Sequence, residues 1–241
     1  MSLVKNKSKS NFVYLFFNKF FQNDFSKIIV DNIRTKKTIN IFDVGSYIGQ
    51  FSLNLNKVIS NNANFYLFDP NPNLKIKNFN FFNIALDKNS FKKKFYFNEL
   101  LPHSGSSLKK ITMHDLFWNF TRRFFLLSLN KKFKTLFVKT QTLDNFCKKK
   151  NISKIEVLKI DVEGSELDVL NGSKKMLKNI NIIYVEIFDK KNNFDKKFKT
   201  ISDLLKKYNF ELIKTQNILS VSIFSNIKAK DLLFVKKKLT S

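Results

Sequence analysis

Short apolar runs separated by polar segments recur along most of the chain and predict buried β-strands. Each run is rich in β-branched and aromatic residues and has the length of about 4–8 residues that favours a strand over a helix. The predicted strands are Ile39–Val44, Asn64–Phe68, Phe81–Leu86, Phe95–Phe97, Thr135–Lys139, Val157–Ile160, Ile182–Ile187, Phe210–Lys214 and Leu232–Lys236.

Segments with helical spacing of apolar residues lie between many of these strands. Strands that alternate with helices indicate a mostly parallel sheet with helices on both faces, which is an α/β domain. The last two strands are separated by a segment without helical pattern, 215–231, so we expect an antiparallel hairpin at the edge of the sheet. The predicted helices are Gly49–Ile59, Asp144–Lys149, Ser165–Leu177 and Phe194–Tyr208.

Two segments fall outside this alternation. We interpret residues 1–38 as an N-terminal helical extension, with a helix over 11–34 that packs on the domain 39–241 or, alternatively, lies on a membrane surface. Residues 108–134 form an insertion that contains the only tryptophan, Trp118. We expect a helix that covers a sheet edge, with a lid or acceptor-docking element as the alternative.

The net charge of +25 would ordinarily suggest a nucleic-acid partner, but only three of the 44 basic residues are arginine. Arginine makes the bidentate contacts by which proteins read nucleic acids, so we predict no specific nucleic-acid partner. The single cysteine, Cys147, excludes an internal disulfide, and no apolar run reaches the roughly 20 residues of a membrane span. We expect a cytoplasmic protein, with peripheral membrane contact as an open alternative.

A glycine turn follows the first predicted strand and carries the first candidate chemistry. The segment from Asp43 to Gly49 reads D-x-G-x-x-x-G, and its glycines allow a ligand to approach the main chain at the carboxyl end of a strand. A dinucleotide-binding turn would have the pattern G-x-G-x-x-G, whose second glycine is replaced by Tyr47 in this chain. The pattern instead resembles the cofactor loop of class I methyltransferases, so we predict cofactor contacts at Asp43, Gly45, Ser46, Tyr47 and Gly49.

Asp69 ends the second predicted strand, 20 residues after Gly49, and Pro70 follows it. A carboxylate in this place can accept hydrogen bonds from two ribose hydroxyls. An isolated Asp-Pro is by default a turn or a helix cap. In register with the glycine turn, the ribose role is the better interpretation, and we predict that Asp69 and Pro70 contact the cofactor.

The segment around Asp161 reads L-K-I-D-V-E-G-S-E-L-D-V-L and strongly resembles the FkbM family of S-adenosylmethionine-dependent methyltransferases. Further family-like pieces occur in the same order along residues 39–190: Phe82–Leu86, Ser104–Leu108, Thr142–Asp144 and Tyr184–Glu186. The resemblance implies a class I, Rossmann-like methyltransferase fold that binds S-adenosylmethionine, with Ala85 in the cofactor site. It also implies methylation of a hydroxyl, often on a sugar of a glycan, glycolipid or secondary metabolite.

Hydroxyl methylation benefits from a base that removes the proton. Asp161 and then Glu163 are our candidates, because both follow the strand that ends beside the expected methyl position, and His103 is a further candidate. Adjacent carboxylates could alternatively hold Mg²⁺ through Asp161, Glu163 and Glu186, although we favour a metal-free site. Lys159 is unusual inside an apolar strand, and we hypothesise that it pairs with a nearby carboxylate.

Two other functions compete with the methylation of a hydroxyl. The charge motivates an RNA methyltransferase, but the acids at 161 and 163 would repel a phosphate backbone and replace the N/D-P-P-Y/F motif of many amino-methylating enzymes. The aromatic, basic segments 11–21 and 116–127 motivate a non-catalytic protein that retains the fold and binds a membrane or a glycan. Failure to bind S-adenosylmethionine would favour the second alternative.

Overall fold

A computed structural model describes residues 23–33, 38–59, 62–97, 106–109, 134–218 and 227–237. The helices are α1 (Asn23–Asn32), α2 (Gln50–Val58), α3 (Leu143–Lys149), α4 (Glu166–Asn171) and α5 (Lys191–Lys206), with a 3₁₀ helix at Met176–Asn179. The strands are β1 (Ile39–Val44), β2 (Ala63–Phe68), β3 (Asn80–Phe82), β4 (Ala85–Leu86), β5 (Lys92–Phe97), β6 (Lys134–Gln141), β7 (Ile155–Ile160), β8 (Ile180–Lys190), β9 (Phe210–Asn217) and β10 (Ile227–Lys236).

The main sheet has seven strands in the order β3-β2-β1-β7-β8-β10-β9. Neighbours from β3 to β8 are parallel, whereas β10 runs antiparallel to both β8 and β9. The predicted α/β class, the mostly parallel sheet and the antiparallel edge hairpin are therefore confirmed. The strand order reverses between β1 and β7, and ligands of open α/β sheets bind at such a switch point.

Helices cover both faces of this sheet, as the alternating pattern predicts. On one face α1 and α2 bury Phe25, Ile29 and Leu55 against the sheet, and the ring of Phe25 stacks on Tyr184 at a centroid distance of 5.0 Å. On the other face α3, α4 and α5 bury a second cluster that includes Phe146. The described part of the N-terminal extension thus packs on the domain. Within the described chain, no helix has the length and apolarity needed to cross a membrane.

The predicted single strand Phe81–Leu86 is wrong, because the chain forms two short strands there. The side-chain amide of Asn83 donates to the main-chain oxygens of Asp69 and Asn71, at 3.0 and 2.7 Å, and this turns the chain out of the main sheet. Strand β4 then pairs in parallel with β6, which also pairs antiparallel with β5. The resulting three-stranded sheet stands beside the carboxyl ends of β1 and β2.

The predicted helix Ser165–Leu177 is also wrong in extent, because α4 ends at Asn171 and a 3₁₀ helix follows. Gly172 caps α4 and lies against the main chain of Asp87, where a Cβ atom would come within 2.2 Å of the carbonyl oxygen. The helix therefore stops where a side chain has no room. Predictions for residues 1–22 and 110–133 lie outside the described part of the chain.

We expect Gly172→Ala to lower the free energy of unfolding by about 1–3 kcal/mol, because the added methyl group forces a main-chain shift in a packed region. The φ angle of Gly172 is −80°, so the cost is steric rather than conformational. Urea denaturation monitored by circular dichroism measures the change. The neighbouring Asn171→Ala, which adds no atom, serves as control, and an unchanged midpoint for Gly172→Ala would contradict this packing.

Candidate functional site

The carboxyl ends of β1 and β7 touch through their main chains, and this contact shapes the site. The Asp161 amide donates to the Val44 carbonyl at 2.9 Å, and Gly45 then turns with a φ of +75°. A Cβ atom on Gly45 would lie 1.7 Å from the carbonyl oxygen of Asp161. Only glycine fits here, both because of the positive φ and because of the close approach.

A cleft opens above this contact, with a free volume of about 690 Å³ including its mouth. Its walls come from the glycine turn, the end of β2, the small sheet and the loop after β7. The lining residues are Val44, Gly45, Tyr47, Phe68, Asp69, Pro70, Ala85, Leu86, Phe95, Ser106, Ser107, Leu108, Asp161, Val162, Glu163 and Ser165.

Asp69 lies in the wall of the cleft and is held by two main-chain donors. The Tyr47 amide donates to Oδ2 and the Asn71 amide to Oδ1, both at 2.9 Å. Burial raises the pKa of Asp69 to about 6, against the lowering effect of these two hydrogen bonds and of the Lys159 charge. Each carboxylate oxygen has two acceptor sites, so both oxygens can still accept a hydrogen bond from a ligand.

A buried ion cluster lies beneath the floor of the cleft. Lys159 Nζ is 3.2 Å from Asp43 Oδ1, 3.3 Å from Asp161 Oδ2 and 3.1 Å from the carbonyl oxygen of Gly45. Asp43 is almost fully buried and also accepts a 2.8 Å hydrogen bond from Ser52 Oγ of α2. The sequence hypothesis that Lys159 pairs with a carboxylate is thus confirmed, with two partners rather than one.

The loop after β7 places Glu163 at the cleft in a left-handed conformation, with a φ of 50°. Glu166 supports the loop from below, since its Oε1 accepts from the Gly164 amide at 2.6 Å. Lys197 of α5 lies 2.5 Å from Glu166 Oε2 and donates to the Gly164 carbonyl at 3.1 Å. Because Glu166 is fully buried, this ion pair fixes the loop.

The segment 106–109 closes the cleft opposite the glycine turn. Ser107 pairs with Tyr96 of β5 through two main-chain hydrogen bonds, and its hydroxyl donates to the Val162 carbonyl at 3.3 Å. Lys109 Nζ lies 3.2 Å from Asp168 of α4. The small sheet and the loop after β7 are therefore tied together across the cleft.

The structure brings most of the predicted site residues together. Gly45, Tyr47, Asp69, Pro70 and Ala85 line the cleft, as do Asp161 and Glu163. Asp43 and Ser46 are buried behind the loop, and Gly49, with a φ of +76°, caps the start of α2. His103 lies outside the described residues.

Glu186 does not line the cleft, although it lies on the same face of the sheet as Asp161. It is opposite Asp231 on β10, and Tyr184 hydrogen-bonds to Asp231. Burial, together with the charges of Asp161, Asp231 and Glu163, raises the pKa of Glu186 well above its ordinary value. Among the residues that the structure describes, no three His, Cys, Asp or Glu side chains are grouped closely enough to hold a metal ion.

Sequence reasoning missed much of the wall. Phe68 and Phe95 were predicted only as strand residues, because apolar side chains carry no mark of which cavity they face. The serine pair at 106–107 did carry a signal, since Ser104–Leu108 is one of the family-like pieces. Ser165 was predicted as the first residue of a helix, whereas it is the N-cap residue of α4 and lines the cleft.

Comparison with known proteins supports a family assignment. The family model described as "Methyltransferase FkbM domain" matches residues 43–212, which cover the glycine turn, Asp69, the small sheet and the loop after β7. No curated protein matches the chain.

Solved structures resemble the chain only distantly. A precorrin-6y C5,15-methyltransferase from Geobacter metallireducens GS-15 is 9% identical with a TM-score of 0.40, and 88% of each chain is covered. An S-adenosylmethionine-dependent methyltransferase from Aquifex aeolicus is 10% identical with a TM-score of 0.33, over 87% of this chain and 89% of that one. MycE, a methyltransferase of mycinamycin biosynthesis in complex with Mg and SAH, is 10% identical with a TM-score of 0.37, over 98% of this chain and 49% of its own.

Proposed function

The chain belongs to the FkbM methyltransferase family, and from that membership we propose that it methylates a hydroxyl oxygen on a sugar-containing acceptor. S-adenosylmethionine is the methyl donor. One observation carries the proposal: the Asp161 carboxylate, ion-paired with Lys159, opens into the same cleft as the glycine turn and Asp69. A proton acceptor and the predicted donor site are therefore adjacent.

The residues of the cleft fit the donor. Because Gly45 has no side chain, a ligand can approach its main chain closely. The Asp69 carboxylate can accept further hydrogen bonds, as from ribose hydroxyls. Ser165 Oγ is buried in the cleft wall without a hydrogen-bond partner among the described residues, which leaves it available to a ligand. When bound, S-adenosylmethionine supplies a methyl group on a positively charged sulfur.

Asp161 is our first choice for the general base. Its Oδ2 faces Lys159, so Oδ1 is the atom that can take the hydroxyl proton. An O–CH₃ bond forms as the methyl–sulfur bond breaks, and the proton passes from the acceptor oxygen to Asp161. Glu163 is the second candidate on the same wall. His103 stays a prediction from the sequence.

We favour a metal-free reaction over one that uses Mg²⁺ at Asp161, Glu163 and Glu186. Glu186 is withdrawn from the cleft, and its raised pKa favours the protonated form, which is a poor metal ligand. An ionised carboxylate with an open oxygen suffices for proton removal.

The cleft lining suits a polyhydroxylated acceptor. Ser106 lines the cleft beside the apolar side chains of Phe95 and Leu108. Hydroxyls and carboxylates bind sugar hydroxyls, and apolar side chains pack on the sugar's carbon faces. Asp161 and Glu163 would repel a phosphate backbone, which argues against an RNA acceptor.

Peripheral membrane contact has support from the outer face of the small sheet. Phe137 of β6 is 69% exposed when the described residues are considered. Lys94 is opposite Phe137, and Lys92 is opposite Lys139, a like-charge pair that costs stability in a sheet. We propose that this outer face contacts an anionic lipid surface through Lys92, Lys94, Phe137 and Lys139. The inner face of the same sheet lines the cleft through Phe95.

We expect the affinity for S-adenosylhomocysteine to fall about tenfold when the pH is lowered from 7 to 5, because Asp69 protonates near pH 6 and then accepts fewer hydrogen bonds. The carboxylate is present above pH 6 and is lost as the pH falls through this value. Calorimetric titration measures the dissociation constant. Asp69→Asn should bind less tightly and lose this part of the pH dependence.

Burial raises the pKa of Asp231 to about 7, and Asp231 is present in both the wild type and Asp69→Asn. The difference between the pH profiles of the two proteins therefore isolates the contribution of Asp69. Equal pH profiles for the two proteins would remove Asp69 from the donor site. No binding by the folded wild type at any pH would refute the donor site as a whole.

We expect Asp161→Asn to slow methyl transfer by about 10²–10⁴-fold, the usual contribution of a general base. Affinity for S-adenosylhomocysteine should stay nearly unchanged, since asparagine keeps the shape. Transfer is measured from methyl-labelled S-adenosylmethionine to a mixture of glycans and glycolipids, and the product linkage is identified by mass spectrometry. Asp195→Asn, whose side chain is 82% exposed, is the matched control. Label on nitrogen or carbon would contradict the proposal.

We expect the triple variant Lys92→Gln/Lys94→Gln/Lys139→Gln to bind phosphatidylserine-containing vesicles on the order of 100-fold more weakly. The reason is that each lysine near an anionic surface contributes about 1 kcal/mol of binding free energy. Co-sedimentation measures the bound fraction. The triple variant at Lys174, Lys178 and Lys207, all exposed, carries the same charge change as control. Equal loss in both variants would show that net charge alone drives binding. Preference for single-stranded RNA over vesicles would contradict the membrane proposal.

A further inference from the structure

We propose that Lys159 is a positioning residue that joins the glycine turn to Asp161, so that one buried ammonium group fixes both halves of the cleft. The inference deepens the proposed function and rests on it. Lys159 itself does not line the cleft, so its effect on a ligand passes through Asp43, Gly45 and Asp161.

The ammonium lies among three oxygens that belong to different parts of the site. The carbonyl of Gly45 is in the glycine turn, Asp43 supports that turn from β1, and Asp161 lines the acceptor side, all within 3.3 Å of Nζ. An ammonium has three N–H donors, which matches this set of acceptors. The side chain is only 9% exposed, so water screens these interactions weakly.

The sheet register explains why this position can connect the two halves. Lys159 on β7 is the Cα partner of Asp43 on β1, and Asp161 follows two residues later on the same face. The flexible four-carbon side chain allows the ammonium to reach the carboxyl ends of both strands. The planar guanidinium of arginine has a different shape and donor geometry, so Lys159→Arg should keep the charge but restore the contacts only in part.

Removal of the ammonium would leave two carboxylates facing each other near the floor of the cleft. Their repulsion would push Asp43 and Asp161 apart and release the Gly45 carbonyl, so the loop and the base would both move. A lysine that only stabilised the sheet would change the unfolding midpoint and nothing else. Ligand affinity per folded molecule therefore distinguishes the two roles.

Lys236 provides a matched structural control. Its ammonium donates to the carbonyls of Leu177 and Lys178, at 2.7 and 2.6 Å, and it lies near the end of β10, far from the carboxyl end of β7. Lys236→Met should lower the unfolding midpoint and leave ligand affinity unchanged.

The experiment is a double-variant cycle read out by calorimetry with S-adenosylhomocysteine. We expect Lys159→Met to weaken binding at least tenfold, on the order of 1.4 kcal/mol, and Lys159→Arg to recover part of the loss. Asp43→Asn alone should also weaken binding. The double variant Lys159→Met/Asp43→Asn should be no worse than the poorer single variant, because both act through the same loop.

The acceptor half is tested by transfer rates at saturating S-adenosylmethionine, with the same glycan and glycolipid mixture. Lys159→Met alone should lower the transfer rate. When it is combined with Asp161→Asn, it should lower the rate little further. If Lys159→Met fails to fold, the affinity and the transfer rate are both measured with Lys159→Gln and Lys159→Arg.

Folded Lys159 variants with wild-type affinity and rate would overturn the inference, and so would strictly additive effects with Asp43→Asn. These outcomes leave the wild-type activity intact and are therefore distinct from failure of the proposed function. A wild type that binds no S-adenosylhomocysteine would refute both.

Discussion

The approach of Gly45 to the Asp161 carbonyl is the constraint on which the site depends. It brings the ends of β1 and β7 closer than any side chain would permit, at the place where the strand order reverses. The cleft exists because the chain must turn away on both sides of this contact. Asp69 and Glu163 both line this cleft. A substitution at Gly45 would therefore disturb every wall of the cleft at once.

Charge is distributed with opposite signs inside and outside the site. The chain carries a net charge of +25, yet the carboxylates of Asp43, Asp69, Asp161 and Glu163 are in or beside the cleft and Lys159 lies among them. A basic surface attracts anionic lipids and glycans over a range of about a Debye length. The acidic cleft repels phosphate at the reacting position.

Local patterns predicted the glycine turn, Asp69 and the segment around Asp161, because each consists of a strand end and the few residues after it. The breaks at Asn83 and Gly172 could not be predicted in this way. Asn83 turns the chain by hydrogen bonds to a loop 12 and 14 residues away, and Gly172 stops a helix against Asp87, which is distant in sequence. Strand β4 of the small sheet follows the break at Asn83, so the contribution of that sheet to the cleft wall could not be predicted either.

The pair Glu186 and Asp231 shows how the fold separates acids that the sequence presents as equivalent. Burial is the main cause that raises the pKa of both carboxyl groups, and Tyr184 forms a hydrogen bond with Asp231. Asp161 lies on the same face, but it reaches the cleft and has an ammonium partner. Spacing along the chain made Asp161, Glu163 and Glu186 look like one ligand set. Burial instead favours the protonated form of Glu186, whereas Asp161 reaches the cleft and forms an ion pair with Lys159.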